Sequence, residues 1–316
     1  MIVKKQPAIA LGTWAWGVGV NGGSQVFGDY LTATDLKPVV DQAMAAGFNL
    51  WDTAYAYGAG ASETLLGELL KPYSRSDYLL STKFTPQLAG TGDHEMAKML
   101  AGSLKRLHTD HIDLYWIHNP ADVEKWTPEL IPLVKSGQIR QVGVSNHNLA
   151  QIKRASEILG AAGIPISAVQ NHFSLLYRSS ETAGIIDYCR KHQMTFYAYM
   201  VLEQGVLTGQ YNVEHPLPAG SLRAKTYNAV LPQLTQLVMA LNEIGEKQGA
   251  TAADVATAYA IAKGTMPIIG VTKAKYIASE EKAVTVNLTA TDMMHLENLA
   301  QTTNVDTKGA WEAPMI

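Results

Sequence analysis

Short apolar runs alternate with longer amphipathic ones along most of the chain. The short runs are rich in β-branched and aromatic residues and fall at 8–11, 49–52, 78–82, 112–117, 139–144, 166–169, 194–199 and 266–269. Their continuous apolarity predicts strands buried on both faces, as in a parallel sheet. Between them apolar residues recur at helical spacing, as in Leu36, Val39, Val40, Ala43 and Met44, and in Met96, Met99, Leu100, Ser103, Leu104 and Leu107. Thr32 with Asp35, Thr251 with Asp254 and Thr289 with Asp292 have the spacing of a capping box at a helix start. Gly47, Pro72, Gly137, Gly163 and Gly249 mark helix ends.

Strand and helix alternate to about residue 280 with no Pro/Gly/Ser linker. Right-handed βαβ units repeated in this way close into a (β/α)8 TIM barrel, an α/β fold. The expectation is a single domain over 1–316. Its surplus length lies in a long loop at 202–231, an extra helix at 231–249 before the last strand, a C-terminal helix, and an irregular tail from 301.

Composition narrows the function classes. The chain has 316 residues, 47% of them hydrophobic and 17% charged, enough to bury a large core. A net charge of −3 argues against a nucleic-acid partner or a polybasic membrane surface. The single cysteine, Cys189, forbids an internal disulfide, and the nine histidines lack metal-ligand spacing, so no metal is expected. Lys4-Lys5 and the apolar stretch 8–20 imitate a signal peptide, but glycines interrupt the stretch and no cleavage site follows. With no run of ~18 apolar residues for a membrane helix, a cytoplasmic protein is expected.

Gly17-Val18-Gly19-Val20-Asn21-Gly22 fits the G-x-G-x-x-G pattern. That pattern cradles a dinucleotide only between a strand and a helix. No apolar helical stripe begins here until Leu36, so the segment reads as a glycine-rich loop at the barrel mouth.

In such a barrel the chemistry sits at the C-terminal ends of the strands. The polar residues there are Asp52 and Tyr57, Lys83, His118, Ser145 and Asn146, Gln170, and Tyr197 and Tyr199. Asp52, Tyr57, Lys83 and His118 form a coherent set. A carboxylate keeps a buried lysine charged, and the ammonium lowers the pKa of an adjacent phenol. A histidine can share the proton or hold a carbonyl oxygen. Each residue alone also has a structural reading: a loop cap for Asp52, a surface aromatic for Tyr57, a solvated lysine for Lys83, a turn residue for His118.

These residues sit in motifs that resemble those of the aldo-keto reductases, from Leu11-Gly12-Thr13-Trp14 to about Leu299. The segment from Asp52 to Gly58 (DTAYAYG), that from Ser103 to Pro120 (SLKRL…DHIDLYWIHNP), Val142 to Asn146 (VGVSN), and Val169-Gln170 followed by FSLL and Arg178 carry the likeness. The resemblance implies a barrel that binds NADPH, or NADH, without a Rossmann motif and reduces a small-molecule carbonyl. It places the catalytic tetrad on Asp52, Tyr57, Lys83 and His118, with Tyr57 as proton donor. Ser145, Asn146 and Gln170 then hold the nicotinamide carboxamide, and Tyr199 stacks on its ring. Leu202, Gln204, Gly205 and Leu207, with Thr208 and Gly209, follow the pyrophosphate. Gly270, Thr272 and Lys273 lie near the adenosine, and Thr13 and Trp14 also touch the cofactor. Where the family has Arg and then Asn, this chain has Tyr276 and Glu280, which weakens a site for a 2′-phosphate. The expected carbonyl mouth is Trp14, Trp16, Tyr55, Phe84, Asn119 and Trp126. Two other readings remain open: a cofactor-sensing subunit with little turnover, and an aldolase using Lys83 as a Schiff-base nucleophile. No feature of the sequence sets an oligomeric state.

Overall fold

Eight parallel strands close into a barrel in sequence order: β1 (Ala10–Gly12), β2 (Leu50–Asp52), β3 (Leu79–Phe84), β4 (Ile112–Ile117), β5 (Ile139–Ser145), β6 (Ile166–His172), β7 (Thr195–Tyr199) and β8 (Met266–Gly270). Ala10, Leu11 and Gly12 pair with Ile268, Ile269 and Gly270 to complete the circle. The structure is a computed structural model describing residues 7–315; Lys4 and Lys5 lie outside the described residues.

All three predicted capping boxes are present, at Thr32/Asp35, Thr251/Asp254 and Thr289/Asp292. The extra helix before β8 is Leu231–Glu246, and helices Lys275–Ala283 and Ala290–Thr302 follow β8. Two expectations need correction. The stretch 202–231 is not a plain loop, since it holds a one-turn 3-10 helix at Glu203–Gly205 and a helix at Leu222–Tyr227 capped by Ser221. The glycine-rich segment is followed at once by a single helical turn, Gly23–Val26, too short to present an apolar stripe.

β3, β5, β6 and β8 run further than predicted, to Phe84, Ser145, His172 and Gly270. The polar residues Lys83, Ser145 and Gln170 resemble strand terminators in the sequence. Their backbones nevertheless stay in the ladder, because their side chains point into the barrel mouth rather than into a hydrophobic layer.

Side-chain alternation organises both the core and the site. Ala10, Leu50, Leu114, Trp116, Ala168, Tyr197 and Ile268 fill the barrel interior. Intervening residues such as Leu11, Trp51, Tyr115 and Val169 face the helical ring. Moving up the same inward parity gives Gly12, Asp52, Ser81 and Lys83, Ser145, Gln170, Tyr199 and Gly270. The floor of the mouth is Trp116. Its ring fits only because position 143 is glycine: a Cβ there would sit 2.3 Å from two ring carbons.

Among the described residues no helix is long and apolar enough to cross a membrane, and no His, Cys, Asp and Glu side chains group to hold a metal. Cys189 packs in the core, and burial pushes its thiol up to about 12.

Candidate active site

A chain of hydrogen bonds rises from the floor of the mouth. Trp116 Nε1 donates to Ser81 Oγ at 2.6 Å, and Ser81 Oγ donates to Asp52 Oδ1 at 2.6 Å. Asp52 Oδ2 receives the Lys83 ammonium. Lys83 Nζ also reaches the Thr53 carbonyl at 2.9 Å and the Tyr57 hydroxyl at 3.2 Å. Both Asp52 and Lys83 are buried. Burial alone would strip the proton from Lys83, but the Asp52 carboxylate and Tyr57 hold its pKa above the ordinary lysine value, so it stays charged. Tyr57 departs from expectation. Burial of the phenol raises its pKa more than the Lys83 ammonium lowers it, so Tyr57 keeps its proton.

The loop carrying Tyr57 explains the glycine-rich segment. A Cβ on Gly58, which has φ +64, would lie 2.5 Å from the Val18 carbonyl, and one on Gly17 2.9 Å from Ala61 Cβ. Gly58 N donates to Val20 O at 3.2 Å. The glycines let the segment 17–22 press against the tyrosine turn. Trp14, whose Nε1 donates to Asn21 O at 2.9 Å, stacks on Tyr57 with centroids 5.9 Å apart. On the other side His118 meets the Tyr57 ring edge-on at 6.0 Å. Burial, with Lys83 nearby, holds His118 well below the ordinary histidine pKa, so the imidazole is neutral. Thr85 Oγ1 lies 3.0 Å from its Nδ1.

Asn146 adopts φ +62, which an asparagine accepts more readily than most residues. This turns its amide into the mouth, where Nδ2 donates to His118 O at 2.9 Å and Tyr199 Oη donates to Asn146 Oδ1 at 2.5 Å. Gln170 Nε2 donates to Asp52 Oδ1 at 3.2 Å, joining this group to the Lys83 pair. Thr13 Oγ1 donates to Asp52 O at 3.2 Å, so its hydroxyl is already committed.

From this mouth a cavity of about 1630 Å³ extends as a groove across the barrel top. It brings together Thr13, Trp14, Ser145, Asn146, Gln170, Tyr199, Leu202, Gln204, Gly205, Gly270, Thr272, Lys273, Tyr276 and Glu280. Sequence reasoning missed several groups here. Lys225, Lys275 and Arg223 add cations to Lys273, and Asp29 faces Arg223 and Lys273. Arg223 Nε is buried with no partner. Its position on a helix inside the supposed loop gave no local signal. Trp311, Thr85, Gln87 and Leu88 also line the mouth. At the far end Glu280 Oε2 has no partner, and burial beside Asp254 raises the Glu280 pKa to about 8.

Five residues expected to touch cofactor or substrate do not reach the cavity, and the fully buried Lys83 lies behind its wall. Phe84 follows the inward-pointing Lys83, so the alternation sends it outward, where it packs on Trp126 with centroids 4.8 Å apart. Trp126 is buried by the same contact. Trp16 is buried against Trp51, its Nε1 donating to Val271 O at 2.7 Å. Tyr55 lies under the Arg106 guanidinium, 4.9 Å from its ring centroid. Leu207 belongs to the core. Of the expected substrate wall, Trp14 and Asn119 remain.

The aldo/keto reductase family model matches residues 8–301. The chain belongs to the aldo/keto reductase family, a family of oxidoreductases on (β/α)8 barrels. It is 30% identical over 310 residues to a chloroplastic pyridoxal reductase of Arabidopsis thaliana, covering 93% of this chain and 83% of that protein. It is 31% identical to the aldo-keto reductase yakc [NADP(+)] of Schizosaccharomyces pombe, covering 80% and 78%. Among solved structures, a thermostable aldo-keto reductase in complex with epalrestat superposes with a TM-score of 0.74 at 26% identity, over 93% of this chain and 95% of that one. The glycerol dehydrogenase of Gluconobacter oxydans shares the fold with a TM-score of 0.81 at 24% identity, over 98% and 96%.

Proposed function

We propose that this protein reduces aldehydes or ketones to alcohols, with NADPH as the hydride donor. The observation that carries the proposal is the protonated Tyr57 hydroxyl, 3.2 Å from a charged and fully buried Lys83 ammonium, in a cavity wall shared with neutral His118. A reduced nicotinamide, when bound, supplies the hydride. Tyr57 gives its proton to the carbonyl oxygen as charge builds there, and the Lys83 ammonium stabilises the phenolate left behind. Asp52 keeps Lys83 charged. In the tautomer whose Nδ1 accepts from Thr85 Oγ1, 3.0 Å away, His118 presents an N–H at Nε2 to the same oxygen. Trp14 and Asn119 flank the substrate.

The groove fits a dinucleotide phosphate. It exceeds the ~1,000 Å³ upper range of ordinary small-molecule pockets. Cations line it in a chain of net charge −3, and the unpartnered Arg223 Nε offers a donor for a phosphate oxygen. Asn146, Ser145 and Gln170 suit a carboxamide, and Tyr199 a flat ring. Lys273 and Lys275 support a 2′-phosphate, while Tyr276 and Glu280 leave room for NADH as a second donor. The NADP(+) in the name of the S. pombe relative supports the same choice.

The charged, oxygen-bound Lys83 lacks the free amine lone pair that a Schiff base requires. The test is loss of nicotinamide absorbance on mixing the protein with NADPH or NADH and a panel of aldehydes, including pyridoxal. Consumption with at least one aldehyde is expected. No consumption with either cofactor, in a protein that binds them, would overturn reductase activity in favour of a sensing role.

A further inference from the structure

Behind the site lies a buried polar cluster that carbonyl reduction does not use. His172, the last residue of β6, is fully buried. Its Nε2 lies 2.9 Å from Glu203 Oε1 and its Nδ1 2.9 Å from Glu312 Oε1. A neutral imidazole carries one N–H, yet here both ring nitrogens face carboxylate oxygens. Glu203 is fully engaged as an acceptor: Ser174 Oγ and Thr307 Oγ1 (3.0 Å) donate to Oε1, and Tyr227 Oη (2.8 Å) to Oε2. The arrangement is that of an imidazolium between two carboxylates. Tyr177 and Tyr199 stack on the imidazole at 4.2 and 5.5 Å.

The cluster ties down the C-terminal segment. Thr307 bonds Glu203, Glu312 bonds His172, and Gly309 N donates to Glu312 Oε1 at 3.1 Å. Between these anchors stands Trp311, 44% exposed at the mouth. It has little fixing of its own. Its Nε1 donates to Tyr199 Oη at 3.2 Å, and its ring meets the edge of Trp14 at 5.7 Å. Trp14 in turn stacks on Tyr57.

We propose that His172 is a positioning residue, which through Glu312 holds Trp311 over the mouth and so sets the affinity for the carbonyl substrate. Loss of the imidazolium charge frees Glu312, and Trp311 leaves Trp14. The charged or titratable groups facing His172 are Glu203, Glu312, Tyr177, Tyr199 and, through Glu203, Tyr227, with Asp306 beyond Tyr177. Burial and the nearby carboxylates raise the pKa of all three tyrosines, Tyr177 to about 12. The two carboxylates outweigh the burial of His172 and raise its pKa to about 9. His172, rather than these tyrosines, is therefore the group that changes charge between pH 7 and 10. Met315, against Asn171, anchors the tail beyond the cluster, so release is confined to the segment around 307–312.

The test uses the full chain and two readouts. The kinetic one rests on the reductase reading; the other, trypsin cleavage after the exposed Lys308 scaled to an unstructured reporter peptide, does not. Glu312→Gln is expected to raise KM for an aldehyde about tenfold at pH 7 with kcat within about twofold, the loss of one charge-assisted hydrogen bond. It should also speed cleavage. In the wild-type protein KM and cleavage should rise together from pH 7 to 10, and in the variant both should start high and stay flat. Trp311→Leu should reproduce the KM rise at pH 7 without altering cleavage. The proposal fails if Glu312→Gln keeps wild-type cleavage and KM, or if wild-type cleavage does not change between pH 7 and 10. Altered cleavage without reductase activity would keep the latch and remove only its link to carbonyl binding.

Discussion

The Tyr57 hydroxyl lies 3.2 Å from the Lys83 ammonium, which has no solvent-accessible surface and draws its remaining contacts from Asp52 and the Thr53 carbonyl. The charge is therefore directed at one phenol, with little screening by water. Tyr57→Phe removes only the proton donor. It should fold normally and bind NADPH as the wild type does, while kcat for aldehyde reduction falls by about 10²–10⁴. Steady-state kinetics beside a cofactor titration checks this, and a folded variant at full rate would exclude Tyr57 as the donor.

Asp52→Asn should damage the fold as well as the chemistry. It leaves Lys83 buried without its carboxylate, which costs about 3–5 kcal/mol for such pairs. Lys83→Met leaves the Asp52 carboxylate without its cation, but Ser81 and Gln170 still donate to Oδ1, so it should cost less. Denaturant midpoints of the two variants make the comparison. Equal losses would mean that these two donors do not offset the charge left on Asp52.

Gly143→Ala tests the floor. The added methyl would sit 2.3 Å from the Trp116 ring, and overpacking of this kind costs about 1–3 kcal/mol. Displacing Trp116 also removes its bond to Ser81, so activity should fall with stability. An alanine variant of unchanged midpoint and rate would show that the ring has room to move.

Stability should decline with rising pH in two steps. Glu280 has a folded pKa raised from 4.5 to about 8, by burial and then by Asp254. Its contribution is complete below 4.5 and lost as pH rises through about 8. His172, raised from 6.5 to about 9 against the pull of burial, contributes fully below 6.5 and loses this as pH rises through about 9. The second step is on the order of 3 kcal/mol. Urea midpoints from pH 4 to 10 should show both falls. Glu280→Gln should abolish the first and keep the second; a variant that retains both would assign the first step to another group.

Cofactor choice should respond to the far end of the groove. Tyr276→Arg with Glu280→Asn replaces a buried acid by a cation and an amide. It should tighten NADPH relative to NADH by about tenfold, the effect of a charge-assisted contact to a phosphate. Fluorescence titration with both dinucleotides reads this directly, and an unchanged ratio would place the 2′-phosphate elsewhere.

Much of this protein was determined by its sequence alone, because the signals involved are local. Thr32 with Asp35, Thr251 with Asp254 and Thr289 with Asp292 satisfy helix ends within four residues, so spacing was sufficient. The alternation of strands and helices followed from apolar periodicity. Asp52, Tyr57, Lys83 and His118 stood out because they lie at or just past the ends of three successive strands whose apolar runs were already visible. Only tertiary structure decided which side of the barrel wall each residue faces. Lys83 points in and Phe84 out, and no residue type announces that parity until the strand is registered against its neighbours. The roof of the mouth was equally hidden. Trp311 reaches Tyr199 across 112 residues and Glu312 reaches His172 across 140. Contacts of that separation leave no periodic trace in the chain; they exist because barrel closure brings the end of β6, the loop after β7 and the tail to one place.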